Sequence, residues 1–150
     1  MREGVWVLLA VLLLATAFGG YRSTRDGRFL SAHRKQFRQG LAACPPNNVL
    51  EGSGLGRDLG EQATLLQFSS AFCAPCRATR HVLSDIARAV PGVMHLEVDA
   101  EQHLELVRRV GVVRTPTTLI LDRHGGEVLR AAGAPDKDEV LKALAVALEA

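Results

Sequence analysis

The sequence predicts an α/β domain, a central mixed sheet flanked by helices, preceded by one N-terminal transmembrane helix. Three observations carry this. Val5 to Phe18 is apolar and uncharged. From Thr64 onward, short apolar runs alternate with stretches whose apolar residues recur at helical spacing, in the order β-α-β-α-β-β-α. One of those strands runs into Cys73-Ala-Pro-Cys76, and a helix leaves it.

The elements follow in order. With Gly4 and the Gly19-Gly20-Tyr21 shoulder, the apolar run reaches the length a helix needs to cross about 30 Å of hydrocarbon at about 1.5 Å per residue. A signal peptide cut after Ala17 competes, because Ala15-Thr16-Ala17 has the small-x-small form. Its n-region is weak, since Glu3 offsets Arg2. Residues 1–21 are therefore read as an anchor that holds the chain to a membrane through residues 4–21. Residues 22–46 read as a basic stalk, with Arg22, Arg25, Arg28, Arg34, Lys35 and Arg38 against Asp26 alone. Lys and Arg prefer the cytoplasmic side, which predicts a single-pass protein with its domain, 47–150, in the cytoplasm. An extracytoplasmic domain is the alternative. Phe29, Leu30 and Phe37 are too few for a core and suit a short amphipathic helix along the membrane surface. Cys44, just before Pro45-Pro46, lies outside the domain pattern and reads as a spare thiol.

Thr64 to Phe68 is short and apolar, as a buried strand should be. Pro75 then opens a run with no further proline until Pro91, and Ala78, Val82, Ile86 and Ala89 fall at helical spacing on its inward side. Val93 to Val98 reads as a second strand. Leu104, Val107 and Val110 suggest a short helix closed by Gly111. Pro116 to Asp122 is a third strand, His124-Gly125-Gly126 a tight turn, and Glu127 to Ala131 a fourth strand completing a hairpin. Asp136 caps a last helix with Val140, Leu141, Leu144 and Leu148 inward.

Composition excludes several classes. Charged residues make up 23% and hydrophobic residues 47% of the 150, so a core is affordable, while a net charge of +2 argues against a nucleic-acid partner. Three cysteines are too few for a disulfide scaffold. A structural zinc site needs four ligands. There is no second Cys-x-x-Cys, and His81, His95, His103 and His124 are scattered, so no metal site is expected. Two cysteines packed as small hydrophobes fit poorly with the proline between them and the strand-to-helix location. The redox reading has a mechanism. The thiolate is the nucleophile in disulfide exchange. Cys73 lies where free N–H groups and the helix dipole favour negative charge, with Arg77 adding a cation nearby. Cys76 is one turn further in. Cys73 is thus the expected attacking sulfur and Cys76 the resolving one, with Pro75 tolerated in the first turn.

Phe72-Cys-Ala-Pro-Cys-Arg77 resembles the Trp-Cys-Gly-Pro-Cys-Lys/Arg signature of the thioredoxin family. Gly111-Val112 followed by Arg114-Thr115-Pro116-Thr117 and a strand resembles its second signature, and the stretch around Gly125-Gly126 to Gly133 resembles the hairpin that follows. The resemblance runs from about Leu65 to Leu148 and implies the thioredoxin-like fold. It also implies dithiol–disulfide exchange with disulfide-containing protein substrates, a redox-active Cys73–Cys76 disulfide, and no further cofactor. An external electron donor such as a thioredoxin reductase would then be the second partner. It makes Pro116 a cis-proline beside the cysteine pair, and the backbone of Thr115 a short strand for extended substrate.

Four positions depart from the family pattern. Phe72 stands for tryptophan and Ala74 for glycine. Gln67 occupies the place of a buried aspartate thought to relay a proton for the resolving cysteine, and His95 that of its paired lysine. An amide and an imidazole would replace an ion pair, unless these are ordinary substitutions at a partly exposed strand end. The expected function is a membrane-tethered reductant. Its rivals are a client-binding module without turnover and an exported protein for cytochrome maturation or extracytoplasmic disulfides.

Overall fold

The computed structural model describes residues 2–25, 29–31, 48–56 and 59–149, with backbone alone for 2–5, 22–25 and 29–31. Cys44 and most of the basic stretch lie outside the described residues. Helix α1 spans Arg2–Arg25, and its uncharged middle, Gly4 to Tyr21, has no distinct polar face. Its side chains are described from Trp6 to Tyr21, and all of these are exposed. Among the described residues no helix is long and apolar enough to cross a membrane.

The sheet is built from β1 (Phe29–Ser31), β2 (Ala63–Ser69), β3 (Val93–Asp99), β4 (Thr117–Asp122) and β5 (Glu127–Ala132), in the order β1-β5-β4-β2-β3. β2 and β3 run parallel, joined through α2 (Ala74–Ala89); the other pairings are antiparallel. The four-stranded mixed core is the one expected from sequence. β1 is an addition to it. The stretch read as stalk, with at most a surface helix, instead pairs Phe29 with Ala131 and Ser31 with Leu129 along the β5 edge. The sheet therefore draws on residues before position 47.

Alternate residues of the strands face opposite layers. Leu65, Ile120 and Leu129 pack with Leu83 and Ile86 of α2 and with Val140, Ala143 and Leu144 of α4 (Lys137–Leu148). Leu66, Phe68, Leu119 and Leu121 pack on the other side with Leu106 and Val110 of α3 (Leu104–Val110) and with Val49 and Leu50. Val49 N–H donates to the Gly125 carbonyl at 2.8 Å, pinning the segment before β2 to the β4–β5 turn.

Two helix faces differ from expectation. α2 buries Cys76, Thr79, Leu83 and Ile86, so Ala78 and Ala89 are exposed and Val82 is only half-buried. α4 turns Ala143 and Ala147 inward and leaves Leu141 and Leu148 38% and 40% exposed. Against a flat sheet an alanine allows closer approach than a leucine, so small residues take the contact line. The predicted caps hold. Asp136 accepts from Glu139 N–H at 2.8 Å, and Gly111 ends α3 at φ 72°, in the left-handed region that favours glycine.

Candidate active site

The cysteine pair sits where β2 ends and α2 begins. Cys73 is the N-cap of α2, with extended backbone, and its Sγ accepts the Cys76 N–H at 3.1 Å. That is the geometry in which a helix end stabilises negative charge on a capping atom. Cys73 is half-buried and Cys76 buried, so the two cysteines differ in their access to solvent. The two are joined as a disulfide with Cα atoms 5.2 Å apart. Ala74 and Pro75, in the first turn, are exposed.

A cavity of about 390 Å³ opens beside the pair, lined in part by Ser69, Ser70, Arg77, Arg80, Glu97 and Asp99. Arg77 and Cys73 line this same cavity. Phe72 is 100% exposed, so at this position the aromatic ring faces solvent rather than packing inside.

The Thr115–Pro116 bond is cis. Ser70, which the sequence reading passed over, links this loop to the cysteines: its carbonyl accepts Cys73 N–H at 3.3 Å, and its hydroxyl lies 3.1 Å from that of Thr115. The loop is held from the other side as well. Gly133 N–H donates to the Pro116 carbonyl at 2.8 Å, and the Thr117 hydroxyl donates to the Arg114 carbonyl at 2.7 Å. Arg130 of β5 donates to the Val110 carbonyl at 2.9 Å while paired with Glu127 at 2.6 Å, which ties the C-terminus of α3 to the sheet just before the loop. Val113 in this loop is 93% exposed, so a second apolar side chain faces solvent in the loop that carries Pro116.

Beneath the pair lies Gln67, 0% exposed, which excludes its reading as a partly exposed strand end. Its Nε2 donates to the Cys76 carbonyl at 2.9 Å, and its Oε1 lies 3.2 Å from Nε2 of His95. The expected juxtaposition of the two residues is present. Ser84, which no sequence pattern marked, lies 2.9 Å from Nδ1 of His95. Burial pushes the His95 imidazole below its ordinary range; the Glu97 carboxylate pulls against this and the Arg80 guanidinium reinforces it. Glu97 and Arg80 form a two-pronged ion pair at 2.5 and 2.7 Å. Burial acts to raise the Glu97 carboxyl, but Arg80, Ser69 and His95 together outweigh it and hold it below the usual carboxylate range. Among the described residues no cluster of His, Cys, Asp and Glu is placed to hold a metal ion.

A capping, half-exposed cysteine bonded to a buried one a turn away, with a cis-proline loop linked to it through Ser70, defines a thiol–disulfide exchange site. The Thioredoxin family model matches residues 57–146, more than half of the chain, and the chain belongs to the thioredoxin family. It is 35% identical over 94 residues to a thioredoxin of Chlamydia trachomatis serovar D, covering 63% of this chain and 91% of that one. It is 36% identical over 80 residues to thioredoxin H2-1 of Oryza sativa subsp. japonica, covering 53% and 56%. Among solved structures, Fasciola hepatica thioredoxin superposes with a TM-score of 0.53 at 23% identity, over 63% of this chain and 88% of that one. The short form of spinach chloroplast thioredoxin f gives 0.55 at 22% identity, over 71% and 98%. At that identity the structural likeness speaks for the fold. Family membership and the cysteine pair together make the protein a protein-disulfide oxidoreductase. The family implies disulfide-containing substrates and a reducing partner, and thioredoxins work through the cysteine pair without a cofactor.

Proposed function

We propose that this chain is a membrane-tethered reductant of protein disulfides, with Cys73 as the attacking sulfur and Cys76 as the resolving one. The observation that carries the assignment is the asymmetry of the pair: Cys73 caps the helix and reaches solvent, while Cys76 is buried. In the reduced protein the Cys73 thiolate attacks one sulfur of a substrate disulfide. That S–S bond breaks, the first substrate thiolate leaves, and a mixed disulfide forms. Cys76, deprotonated, attacks the Cys73 sulfur; the second substrate thiolate leaves and the Cys73–Cys76 disulfide closes. Two electrons have passed to the substrate, and an external reductase or thiol donor restores the dithiol. The Thr115–Pro116 backbone is the proposed seat for an extended stretch of substrate beside the cysteines. Phe72, Ala74, Pro75 and Arg77 shape and charge the rim, while Gln67 and His95 support Cys76 from below.

The tether is supported by the uncharged run from Gly4 to Tyr21, the middle of α1, which has no distinct polar face. Residues 1–21 are then the anchor, 22–46 the basic linking segment and 47–150 the bulk of the domain, facing the cytoplasm because the basic residues follow the span. Insulin reduction with dithiothreitol tests the chemistry: wild type accelerates it and Cys73→Ser does not. Equal rates would favour a binding module. Alkaline phosphatase and a fluorescent protein, each fused after Ala150, test the placement. Fluorescence without phosphatase activity is expected; the reverse would put the domain outside and point to exported clients.

A further inference from the structure

Behind the cysteine pair runs a chain of hydrogen bonds whose direction is set by chemistry. A carbonyl only accepts, so the Gln67 atom facing the Cys76 carbonyl is the Nε2 donor. Gln67 Oε1 therefore faces His95, and Nε2 of the imidazole must carry a hydrogen to reach it. In the neutral ring Nδ1 is then the acceptor, and the Ser84 hydroxyl donates to it. Hydrogens run Ser84 to His95, His95 to Gln67, Gln67 to the Cys76 carbonyl. On gaining a proton at Nδ1 the ring turns donor to the Ser84 oxygen, which accepts as readily as it donates, and the rest of the chain is unchanged. The bonds survive protonation while a positive charge appears two hydrogen bonds from Cys76.

Proton access is present. A second cavity, of about 500 Å³, is lined by His81, Ser84, Arg88, Met94 and His95, so one side of the ring meets solvent while its Nε2 faces the interior. The other titratable or charged groups facing His95 are accounted for. Glu97, two residues along β3, is bound to Arg80 of α2; Arg88 of α2 is paired with Asp85; His81 lies across the cavity; β2 contributes only the neutral Gln67. Burial keeps His95 neutral near pH 7, so its charge change falls in the acid range.

We propose that Ser84, His95 and Gln67 form a pH-responsive positioning device for the resolving step, in which a proton on His95 favours the Cys76 thiolate and sustains resolution as the medium turns acid. The inference rests on Cys76 being the resolving cysteine. A unit charge about 10 Å away at an effective dielectric of about 20 makes Cys76 about tenfold or more easier to deprotonate. Thiolate nucleophilicity falls as acidity rises, with a slope near 0.5, so the net gain in rate is about threefold.

The test is stopped-flow reaction of the reduced, full-length protein with excess dithionitrobenzoate, a symmetric aromatic disulfide. The first nitrothiobenzoate released reports attack by Cys73, the second reports resolution by Cys76. In wild type the second rate should fall less than tenfold per unit below about pH 6.5, where the thiolate fraction alone would give tenfold. His95→Gln keeps a donor to Gln67 but cannot titrate. Relative to wild type it should be slower by up to about threefold at acid pH, once His95 has gained its proton, with the gap narrowing towards pH 8. His95→Lys should be fast at both. Ser84→Ala, which keeps the imidazole and removes its outer partner, should move the acid inflection. Nitrogen NMR of the histidine rings should show His95 as the Nε2–H tautomer at neutral pH. Superimposable second-phase profiles for wild type and His95→Gln, or an Nδ1–H tautomer, would overturn the proposal. A chain with no accelerated first phase would instead refute the oxidoreductase assignment, an outcome the tautomer measurement does not depend on.

Discussion

Gln67→Met isolates what the buried amide contributes. The thioether has nearly the same length and volume, so no large cavity opens, but donor and acceptor vanish together. The Cys76 carbonyl loses the 2.9 Å bond from Nε2, and His95 loses its 3.2 Å partner. A buried polar group left unpaired costs about 1–3 kcal/mol. The Cys76 carbonyl lies in the first turn of α2 and keeps its helical partner, so its cost falls at the low end; the half-exposed imidazole can turn to water and loses less. Burying a thioether in place of an amide returns part of this. The balance is a loss of about 1–2 kcal/mol, or about 5–15 °C in Tm for a domain of this size. Urea unfolding of the oxidised protein, followed by circular dichroism, reads it as a lower midpoint at unchanged slope. A variant as stable as wild type, or more so, would mean that the Gln67 bonds do not hold the first turn of α2, and the positioning argument would lose its footing.

Three further outcomes follow. Glu97→Gln should cost less than about 1 kcal/mol, because solvent screens the exposed Arg80 partner. Since the Glu97 carboxyl is held below its usual range, its contribution is present above the unfolded value and lost as pH falls through the folded one, so variant and wild type should converge in strong acid in a urea-midpoint series. His95 has the opposite charge type. Its folded value is lowered, the unfolded chain binds the proton more readily, and stability should decline as pH falls from about 6.5 through the lowered value; His95→Gln should flatten that segment of the same series. Gly60→Ala and Gly111→Ala should part company in thermal unfolding. A Cβ at Gly60 would stand 2.2 Å from the Ala63 carbonyl, a backbone clash costing about 3 kcal/mol, whereas Gly111 has open space and should lose only about 1–2 kcal/mol for its left-handed backbone.

Periodicity exposed the four long strands and three domain helices, each within a few residues of its true ends. Cys73, Cys76 and Pro116 were legible because their chemistry is tied to short local patterns. What stayed hidden was non-local or weakly patterned. β1 is three residues long and shows no period, so nothing distinguished it from the basic stretch around it. The buried face of α2 was misplaced because Ala78, Val82 and Ala89 form one plausible stripe and Cys76, Thr79, Leu83 and Ile86 another, a single residue apart. The sheet selects the second, which puts Cys76 inward. Gln67 and His95 came to notice as departures from the family pattern, and they do meet. Ser70, Ser84 and Arg130 left no such trace: beside any local bonds, the contact that matters for each is non-local, to Thr115, His95 and the Val110 carbonyl, 45, 11 and 20 residues away. Such pairings are set by the packing of α2 and α3 on the sheet.

The central claim, that Cys73 attacks and Cys76 resolves, is tested most directly by trapping. Reduced Cys76→Ser and Cys73→Ser proteins are mixed with intact, disulfide-linked insulin and analysed by non-reducing mass spectrometry. Cys76→Ser should accumulate a covalent adduct through Cys73 that dithiothreitol reverses, while Cys73→Ser should form none. An adduct through Cys76 in the Cys73→Ser protein, or no adduct in either, would contradict the account.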